Sequence, residues 1–314
     1  MNRNFFKKIF FVLLWLVLVY KITYRDGGTD YLSYTSRFIQ IRKYGLDYFN
    51  YYSREPLFSA IGLFAKDKYM FFFLIGGTAL LFKLGSILRY SLYPVLSLLF
   101  YYLSFFQSDE LGRIRIGLAT AIVLYNIKLL QRKKFVGVVL ITSLIHQTTL
   151  LYLLPYMFRK IKLKKKTYWL ILVLSILIGN INLMKYFDYI LILAQRIPGF
   201  RAVTAIYIGS NLEKVGLSLI MLPKIFFISM LLYNKDKLER YQYFKNLFTV
   251  YYIGILIYFG FNSIRSIATR GSEVLLCCEF LLLPYLIKIE KNLYRKLLVI
   301  GILFIYYMII YIKN

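Results

Sequence analysis

The stretch IFFVLLWLVLVYKITYRDGGTDY (residues 9–31) passes from an uninterrupted apolar run to charged and turn-forming residues within a few positions. The apolar part, residues 9–20, follows the basic residues Arg3, Lys7 and Lys8, an order that secretory signal peptides also have. No small-residue cleavage site comes after it, so we interpret the run as a retained signal-anchor helix with a cytoplasmic amino terminus. The charged residues that follow are then expected at the outer face of a membrane.

The composition of the whole chain also indicates a membrane protein. Of the 314 residues, 60% are hydrophobic and 19% are aromatic, and the mean hydropathy is +0.61, above the values of soluble domains. A spanning helix needs roughly 20 mostly apolar residues, and about eleven candidate runs are present, some of them shorter. They lie at 5–24, 69–88, 91–107, 114–130, 135–145, 148–158, 168–183, 215–233, 245–262, 273–288 and 297–312. We predict an all-α fold, a polytopic transmembrane bundle of about 11 helices, in which residues 1–314 form a single integral membrane domain.

The net charge of +27 has two interpretations. In a soluble protein it would suggest nucleic-acid binding, but here the lysines and arginines cluster in short connections between apolar runs. This is the positive-inside pattern of a multi-pass protein of the cell membrane, so no nucleic acid is expected as a partner. The basic connections, including 83–89 and 159–166, all lie inside if residues 135–158 cross twice or form a re-entrant pair, whereas a single crossing would put 159–166 outside. Most acidic residues, including Asp109 and Glu110, then belong to exterior loops or their borders.

Residues 25–68 are predicted to form an exterior amphipathic segment with helices of its own. Gly27-Gly28 makes a turn, Thr29 can cap a helix, and Asp30 lies in the first turn, where the helix dipole favours a carboxylate. The helix is predicted to extend to about residue 42. Its aromatic and aliphatic stripe at helical spacing consists of Tyr31, Tyr34, Phe38 and Ile41.

A second short helix is predicted to begin at Pro56, because proline suits the first helical position, with Glu55 directly before it. His146 is the only histidine, and it interrupts an apolar stretch. A lone membrane histidine is more often a packed hydrogen-bond partner than a reactive group, but its place at a helix break favours a function. No second histidine is available for a metal site, and no cofactor motif is present, so neither a metal nor a cofactor is expected. Cys277 and Cys278 are predicted to be core residues.

Arginines recur at the predicted outer ends of the helices without a matching number of acidic neighbours. They are Arg25, Arg113, Arg115, Arg265 and Arg270, with Arg196 and Arg201 in the long connection 184–214. An arginine at the hydrocarbon edge is costly unless it reaches the interface or binds an anion. The planar guanidinium clamps phosphate oxygens in a bidentate manner, so the pattern indicates a polyanionic ligand such as a diphosphate.

The order of these motifs resembles the EpsG-like members of the Wzy-type polysaccharide polymerases of bacteria. The residues that carry the resemblance are Arg25 with Gly28-Thr29-Asp30 and Tyr34, then Glu55-Pro56-Leu57, then Arg113 and Arg115 with Ile116 to Ala119, then Ile145-His146-Gln147-Thr148. They cover the first half of the chain, and the second half is similar in hydropathy and in its exterior arginines.

The resemblance implies a GT-C-like membrane glycosyltransferase that polymerises undecaprenyl-diphosphate-linked oligosaccharides into a capsule, exopolysaccharide or O-antigen, with its active site facing the extracytoplasmic side. It implies a chain-length regulator and a flippase of the same pathway as partners. Diphosphate binding is assigned to Arg25, Arg113, Arg115, Arg265 and Arg270, the preferred catalytic base is Asp30 with Glu55 and His146 in reserve, and glycan or lipid contacts are assigned to Tyr31, Tyr34, Arg196 and Arg201.

Two other functions remain open at this point. A flippase or transporter for lipid-linked oligosaccharides would also need arginines around a diphosphate, but it would need access from both faces, and the candidate residues gather on one face. A membrane O-acyltransferase would centre on His146 and would not need the set of arginines. The sequence therefore ranks the polymerase first.

Overall fold

The computed structural model describes residues 3–28, 30–48, 55–181, 189, 192, 221–265 and 267–313, and within these residues the regular structure is helical, with no strand. The predicted all-α class is thereby confirmed for the described part of the chain. Two compact units are present. The first comprises Met1–Arg159 with Cys277–Asn314, and the second comprises Lys160–Leu276. The prediction of one integral membrane domain stays a prediction.

The helices of the described residues are numbered along the chain. They are α1 (Arg3–Thr23), α2 (Tyr31–Tyr44), α3 (Pro56–Phe64), α4 (Lys68–Tyr90), α5 (Pro94–Tyr101, extended by a π-helical segment Tyr102–Gly112), α6 (Ile114–Tyr125), α7 (Lys134–Ser143), α8 (Leu153–Phe158), α9 (Lys165–Asn180), α10 (Met221–Tyr233), α11 (Lys235–Leu238), α12 (Phe244–Gly260), α13 (Ser272–Leu276), α14 (Glu279–Ile289) and α15 (Leu293–Lys313). A π turn, Phe73–Gly77, lies inside α4, and another, Ile267–Gly271, precedes α13.

One helix among the described residues, α4, is long and apolar enough by itself to cross a membrane, and it covers the predicted run 69–88. Shorter apolar helices accompany it, among them Ile114–Tyr125 and Phe244–Gly260. Helix α7, at 1.5 Å per residue, is about 15 Å long, roughly half of the hydrocarbon thickness. The number of crossings, the orientation and the GT-C likeness therefore stay predictions.

Residues 25–68, the segment predicted to be exterior, pack through the stripe that the sequence predicted. Tyr34, Phe38 and Ile41 of α2 are buried. The Tyr34 ring lies 6.0 Å from that of Phe58 in α3, and the Phe38 ring lies 5.2 Å from that of Phe71 in α4. Each buried aromatic side chain stabilises such a core by about 1.5–3 kcal/mol, so α2 and α3 are held against the start of α4.

The first residues of α2 and α3 were predicted with different accuracy. Helix α3 begins at Pro56, as expected. Asp30 is not inside the first turn of α2 but one position earlier, at the N-cap, and its side chain makes no capping hydrogen bond. Thr29, the predicted cap, lies outside the described residues.

Three charged residues were wrongly assigned to loops. Lys83, expected in an inner basic connection, and Asp109 and Glu110, expected at an outer border, are all buried within the first unit. Lys83 Nζ lies 3.2 Å from Asp109 Oδ2, so the two cannot belong to opposite faces of a membrane. The reason is that α5 does not end near residue 107, because the π-helical segment continues it through both acidic residues to Gly112.

The second unit is built around α12, most of whose residues are buried. Helix α9 packs along it closely: the Tyr252 hydroxyl donates a 2.7 Å hydrogen bond to the carbonyl of Tyr168, and the two rings meet edge to face at 4.9 Å. Gly179 lies so near the carbonyl of Phe259 that a side chain there would overlap it. Small residues of this kind let two helices approach through their backbones.

Candidate functional site

The candidate site begins with a backbone contact between two segments that are far apart in sequence. The amide of Leu57, in the first turn of α3, donates a 3.1 Å hydrogen bond to the carbonyl of Leu144, where α7 has just ended. Pro56, at the first position of α3, leaves no amide unsatisfied there. The start of α3 and the helix break before His146 are therefore held together by the main chain.

This contact brings Glu55 and His146 together. His146 Nδ1 lies 2.6 Å from Glu55 Oε1, within hydrogen-bonding distance. The Glu55 side chain is only 9% exposed and that of His146 is 15% exposed, so the imidazole is the more accessible of the two. A buried carboxylate on one ring nitrogen fixes the tautomer and the orientation of the ring.

Two arginines bind the other oxygen of the same carboxylate. Arg115 Nη1 donates a hydrogen bond to Glu55 Oε2, and Arg37 Nη1 lies 3.4 Å from that oxygen. The Nε of Arg115 is buried and has no hydrogen-bond partner within the described residues. One carboxylate thus faces two permanent cations and a histidine, and the cluster carries surplus positive charge.

Aromatic rings support both guanidinium groups. Cζ of Arg115 lies 5.5 Å from the ring centroid of Tyr34 and 5.7 Å from that of Phe58, and Cζ of Arg37 lies 5.9 Å from the Phe58 ring. Guanidinium groups bind favourably over aromatic faces at these distances. Burial raises the pKa of Tyr34 against the opposing charge of Arg115, so its hydroxyl stays protonated at neutral pH.

The protonation state of Glu55 is set by opposing effects. Burial alone would raise its pKa, but the hydrogen bond with His146 and the charge of Arg115 outweigh burial and lower the pKa below its ordinary value. Glu55 is therefore ionised at neutral pH and acts only as an acceptor in the cluster.

A second group of polar residues surrounds the end of the π-helical segment. Arg25 donates hydrogen bonds to the carbonyls of Glu110, at 3.2 Å, and of Leu111. Its Cζ lies 4.3 Å from the ring centroid of Phe72. Its Nε and Nη2 are buried with no hydrogen-bond partner among the residues that the structure describes. Desolvation lowers the pKa of Arg25 to about 10, which leaves it charged at neutral pH.

Gly28, in the turn before α2, allows a close approach to a neighbouring backbone carbonyl. Gly28 has a φ of +125°, which favours glycine, and a Cβ built there would overlap the carbonyl oxygen of Leu111. Gly27 has no such neighbour within 4 Å. Gly28 thus lets the turn approach the same carbonyl that Arg25 binds.

Arg113 and Arg115 flank the start of α6, as the sequence indicated. Arg113 is the N-cap residue of α6, and its Nη2 lies 3.4 Å from Asp109 Oδ1. Asp109 in turn binds Lys83 through its other oxygen. The charges around residues 109–115 therefore form one connected set, with Arg25 attached to it through the backbone at Glu110 and Leu111.

The other predicted site residues have different surroundings. Asp30 lies half-buried at the start of α2 and acts electrostatically on Arg25 and Tyr34. Tyr31 stacks on Phe72 and accepts a 3.3 Å hydrogen bond from Lys68 Nζ.

The remaining predicted residues all lie in the second half of the chain. Arg265 and Arg270 are exposed residues of the second unit, and their part in the site stays a prediction. Arg196 and Arg201 lie outside the described residues. Cys277 and Cys278 are buried, as predicted for core residues.

Arg37 is the site residue that sequence reasoning missed. Charged residues on amphipathic helices usually belong to the solvated face, and no other role was assigned to this one from the sequence. A signal was nevertheless present: Arg37 follows Tyr34 by one helical turn and so lies on nearly the same side of α2 as a buried tyrosine.

The model of the EpsG family matches residues 8–314, almost the whole chain. The chain belongs to the EpsG family. This is the Wzy-like polysaccharide polymerase family, and the resemblance inferred from the motifs is thereby confirmed. Membership assigns the protein a general role as a membrane-associated, glycosyltransferase-like polysaccharide polymerase. The comparisons with curated proteins and with solved structures gave no match.

Proposed function

We propose that this EpsG-family protein polymerises undecaprenyl-diphosphate-linked oligosaccharide repeat units into a surface polysaccharide at the outer face of the cytoplasmic membrane. The observation that carries the proposal is the contact of His146 Nδ1 with Glu55 Oε1, next to two arginines on the same carboxylate. This arrangement offers a base and positive charge within one cluster, which is what glycosyl transfer from a diphosphate requires.

His146 is the residue we propose as the general base. With Nδ1 donating to Glu55, the atom left to accept a proton is Nε2, and a neutral imidazole held in this tautomer is suited to the task. The hydroxyl of the acceptor sugar gives its proton to Nε2 as its oxygen bonds to the anomeric carbon of the donor. The bond from that carbon to the diphosphate breaks, and the lipid diphosphate leaves with the electron pair.

This assignment differs from the sequence-based preference for Asp30 as the base. Glu55 and Asp30 are both carboxylates near arginines, but Glu55 is in direct contact with a histidine, whereas the Asp30 side chain makes no capping hydrogen bond at the start of α2. In our proposal Glu55 is a positioning residue, and Asp30 supports the charge of Arg25.

The leaving group needs positive charge, and the first unit offers it at one place. Arg113 and Arg115 lie at the start of α6, and Arg25 binds the carbonyls that precede it. Arg25 also retains two buried nitrogens without a partner among the described residues, and such donors are costly unless a ligand satisfies them. We propose that these three arginines bind the diphosphate.

The test is a surface-glycan gel from cells that lack the protein and are complemented with variants. Wild type and Arg42→Ala, an exposed arginine elsewhere on α2, are expected to restore the polymer ladder. His146→Gln and Arg115→Ala are expected to leave a single repeat unit, provided that membrane extracts contain equal amounts of each variant. Absence of even the single repeat at the surface would favour a flippase and overturn the proposal, as would an intact ladder with changed acylation.

A further inference from the structure

We propose that Arg37 and Arg115 form an anion site for a diphosphate, and that Glu55 Oε2 competes for this site until the diphosphate displaces it. The inference rests on the proposed function, because it concerns the same cluster. It adds Arg37 as a binding residue and gives Glu55 a second part in the reaction, as an internal competitor of the substrate.

The bonding pattern divides the two oxygens of Glu55 between different partners. Oε1 binds His146, whereas Oε2 is shared by Nη1 of Arg37 and Nη1 of Arg115. A single oxygen cannot satisfy two guanidinium forks, each of which can make two parallel hydrogen bonds to a phosphate or carboxylate. A diphosphate presents several oxygens, so it can engage both arginines more completely than Oε2 does.

Exposure gives the direction from which an anion would arrive. The side chains of Arg37 and Arg115 are 33% and 24% exposed, whereas that of Glu55 is 9% exposed. An incoming anion therefore reaches the arginines before it meets the carboxylate that would repel it. Arg37 is the more exposed of the two, and its contact with Oε2 is long at 3.4 Å, so it is the arginine most easily drawn away.

The charge balance also favours an added anion. Two arginines and one carboxylate leave a net charge of about +1 while His146 is neutral, and Tyr34 is the other titratable group in contact with Arg115. Asp30 adds negative charge near Tyr34 without a direct contact to either arginine. The surplus lies where the aromatic rings of Tyr34 and Phe58 keep it partly dehydrated, and this strengthens its attraction for an anion.

Displacement of Glu55 Oε2 from the two arginines would also change the basicity of His146. Once both arginines bind the diphosphate, the negative charge of Glu55 is no longer shared and acts on His146 alone through Oε1. A more strongly bound Nδ1–H makes Nε2 a stronger base. Binding of the donor diphosphate would thus activate the base that deprotonates the acceptor hydroxyl, and the cluster would couple binding to chemistry.

The experiment measures binding of farnesyl diphosphate and of inorganic diphosphate to the full-length protein in nanodiscs. Glu55→Gln keeps the size of the side chain and removes its charge, so Kd is expected to fall about five- to tenfold as the competing state is lost. Arg37→Ala and Arg37→Lys are expected to raise Kd, the alanine by about tenfold and the lysine by less. Arg42→Ala, on the same helix, is the matched control and should bind as wild type does.

The two probes distinguish the source of the diphosphate. If the Kd values of the variants follow the same order with both probes, the site binds any diphosphate. If the Kd values change only with farnesyl diphosphate, the lipid-borne form is the ligand. Weaker or unchanged binding by Glu55→Gln overturns the inference. Because one third of the Arg37 side chain is exposed, its variants are expected to fold, and wild-type affinity in both of them overturns the inference independently.

The outcomes also separate this inference from the proposed function. Suppose that Arg115→Ala cells lose the polymer ladder but that diphosphate binding does not change in the Glu55 and Arg37 variants. The proposed function would then hold, and the displacement of Glu55 Oε2 by the diphosphate would be refuted. If the variants show the expected order of Kd values but cells that lack the protein make polymer of normal length, the anion site is established and the proposed function is contradicted.

Discussion

His146 Nδ1 lies 2.6 Å from Glu55 Oε1, although 91 residues separate them in the chain. The contact joins the first turn of the short helix α3 to the break after α7. Both partners are largely shielded from solvent, so the hydrogen bond is not weakened by competing water. The pair gives the site a fixed imidazole, on which the first prediction depends.

Replacing His146 by Gln is expected to reduce the polymerisation rate about 10²- to 10⁴-fold, because the amide can still contact Glu55 but cannot take up a proton. The rate is measured with purified protein and a lipid-linked repeat unit. Gln147→Ala, next to it and exposed, serves as the control. A rate within a few fold of wild type for His146→Gln would refute its assignment as the base.

The two glycines of the turn before α2 give a matched pair. Gly28→Ala is expected to destabilise the first unit by about 1–3 kcal/mol, because it combines an unfavourable φ with an overlap at the Leu111 carbonyl. Gly27→Ala, which meets nothing within 4 Å, is expected to change stability by less than about 0.5 kcal/mol.

Thermal unfolding in detergent compares these two variants. Polymer length in cells should follow the same order, because Arg25 binds the carbonyl that Gly28 approaches. Equal stability of the two alanine variants would contradict the packing described for this turn.

The buried pair of Lys83 and Asp109 predicts a pronounced non-additivity. Lys83→Met alone is expected to cost about 3–5 kcal/mol, because it leaves the buried Asp109 carboxylate with Arg113 as its one remaining ion pair among the described residues. Lys83→Met combined with Asp109→Leu removes both charges and is expected to recover much of that loss. Unfolding of the four proteins of this double-mutant cycle gives the coupling energy, and additive losses would show that the contact is unimportant.

The pH dependence of stability follows from the lowered pKa of Glu55. Its stabilising contribution is fully present above the ordinary value of 4.5 and is lost as the pH falls through the lower value of the folded protein. The melting temperature of wild type should therefore fall more steeply in acid than that of Glu55→Gln. Unfolding curves from neutral pH down to about 3 measure the difference. Parallel curves for the two proteins would contradict the ion pairs at this residue.

The sequence predicted the parts of the fold that depend on local pattern. The stripe of Tyr31, Tyr34, Phe38 and Ile41 follows from helical spacing, and the structure buries all of it except Tyr31, which is half-buried. The start of α3 at Pro56 follows from the restricted φ of proline and is confirmed. Family membership was predicted from the order of short motifs around Arg25, Glu55, Arg115 and His146, and the match over residues 8–314 confirms it.

What the sequence could not predict depends on distant pairing and on helix geometry. Hydropathy averages over a window, so Lys83 looked like the edge of a loop, although Asp109 neutralises it inside the core. The π-helical segment has no recognised sequence signal, so α5 was ended too early. The role of Arg37 depends on Glu55, which another helix positions, and a single sequence contains no record of that contact.

The hydrogen bond from the amide of Leu57 to the carbonyl of Leu144 uses main-chain atoms only. The backbone therefore sets the distance between Glu55 and His146, and leucine side chains are not required at positions 57 and 144. During evolution the side chains at 57 and 144 can drift among relatives while the two reactive groups keep their spacing. Proline at position 57 is the exception, since it has no amide hydrogen to donate.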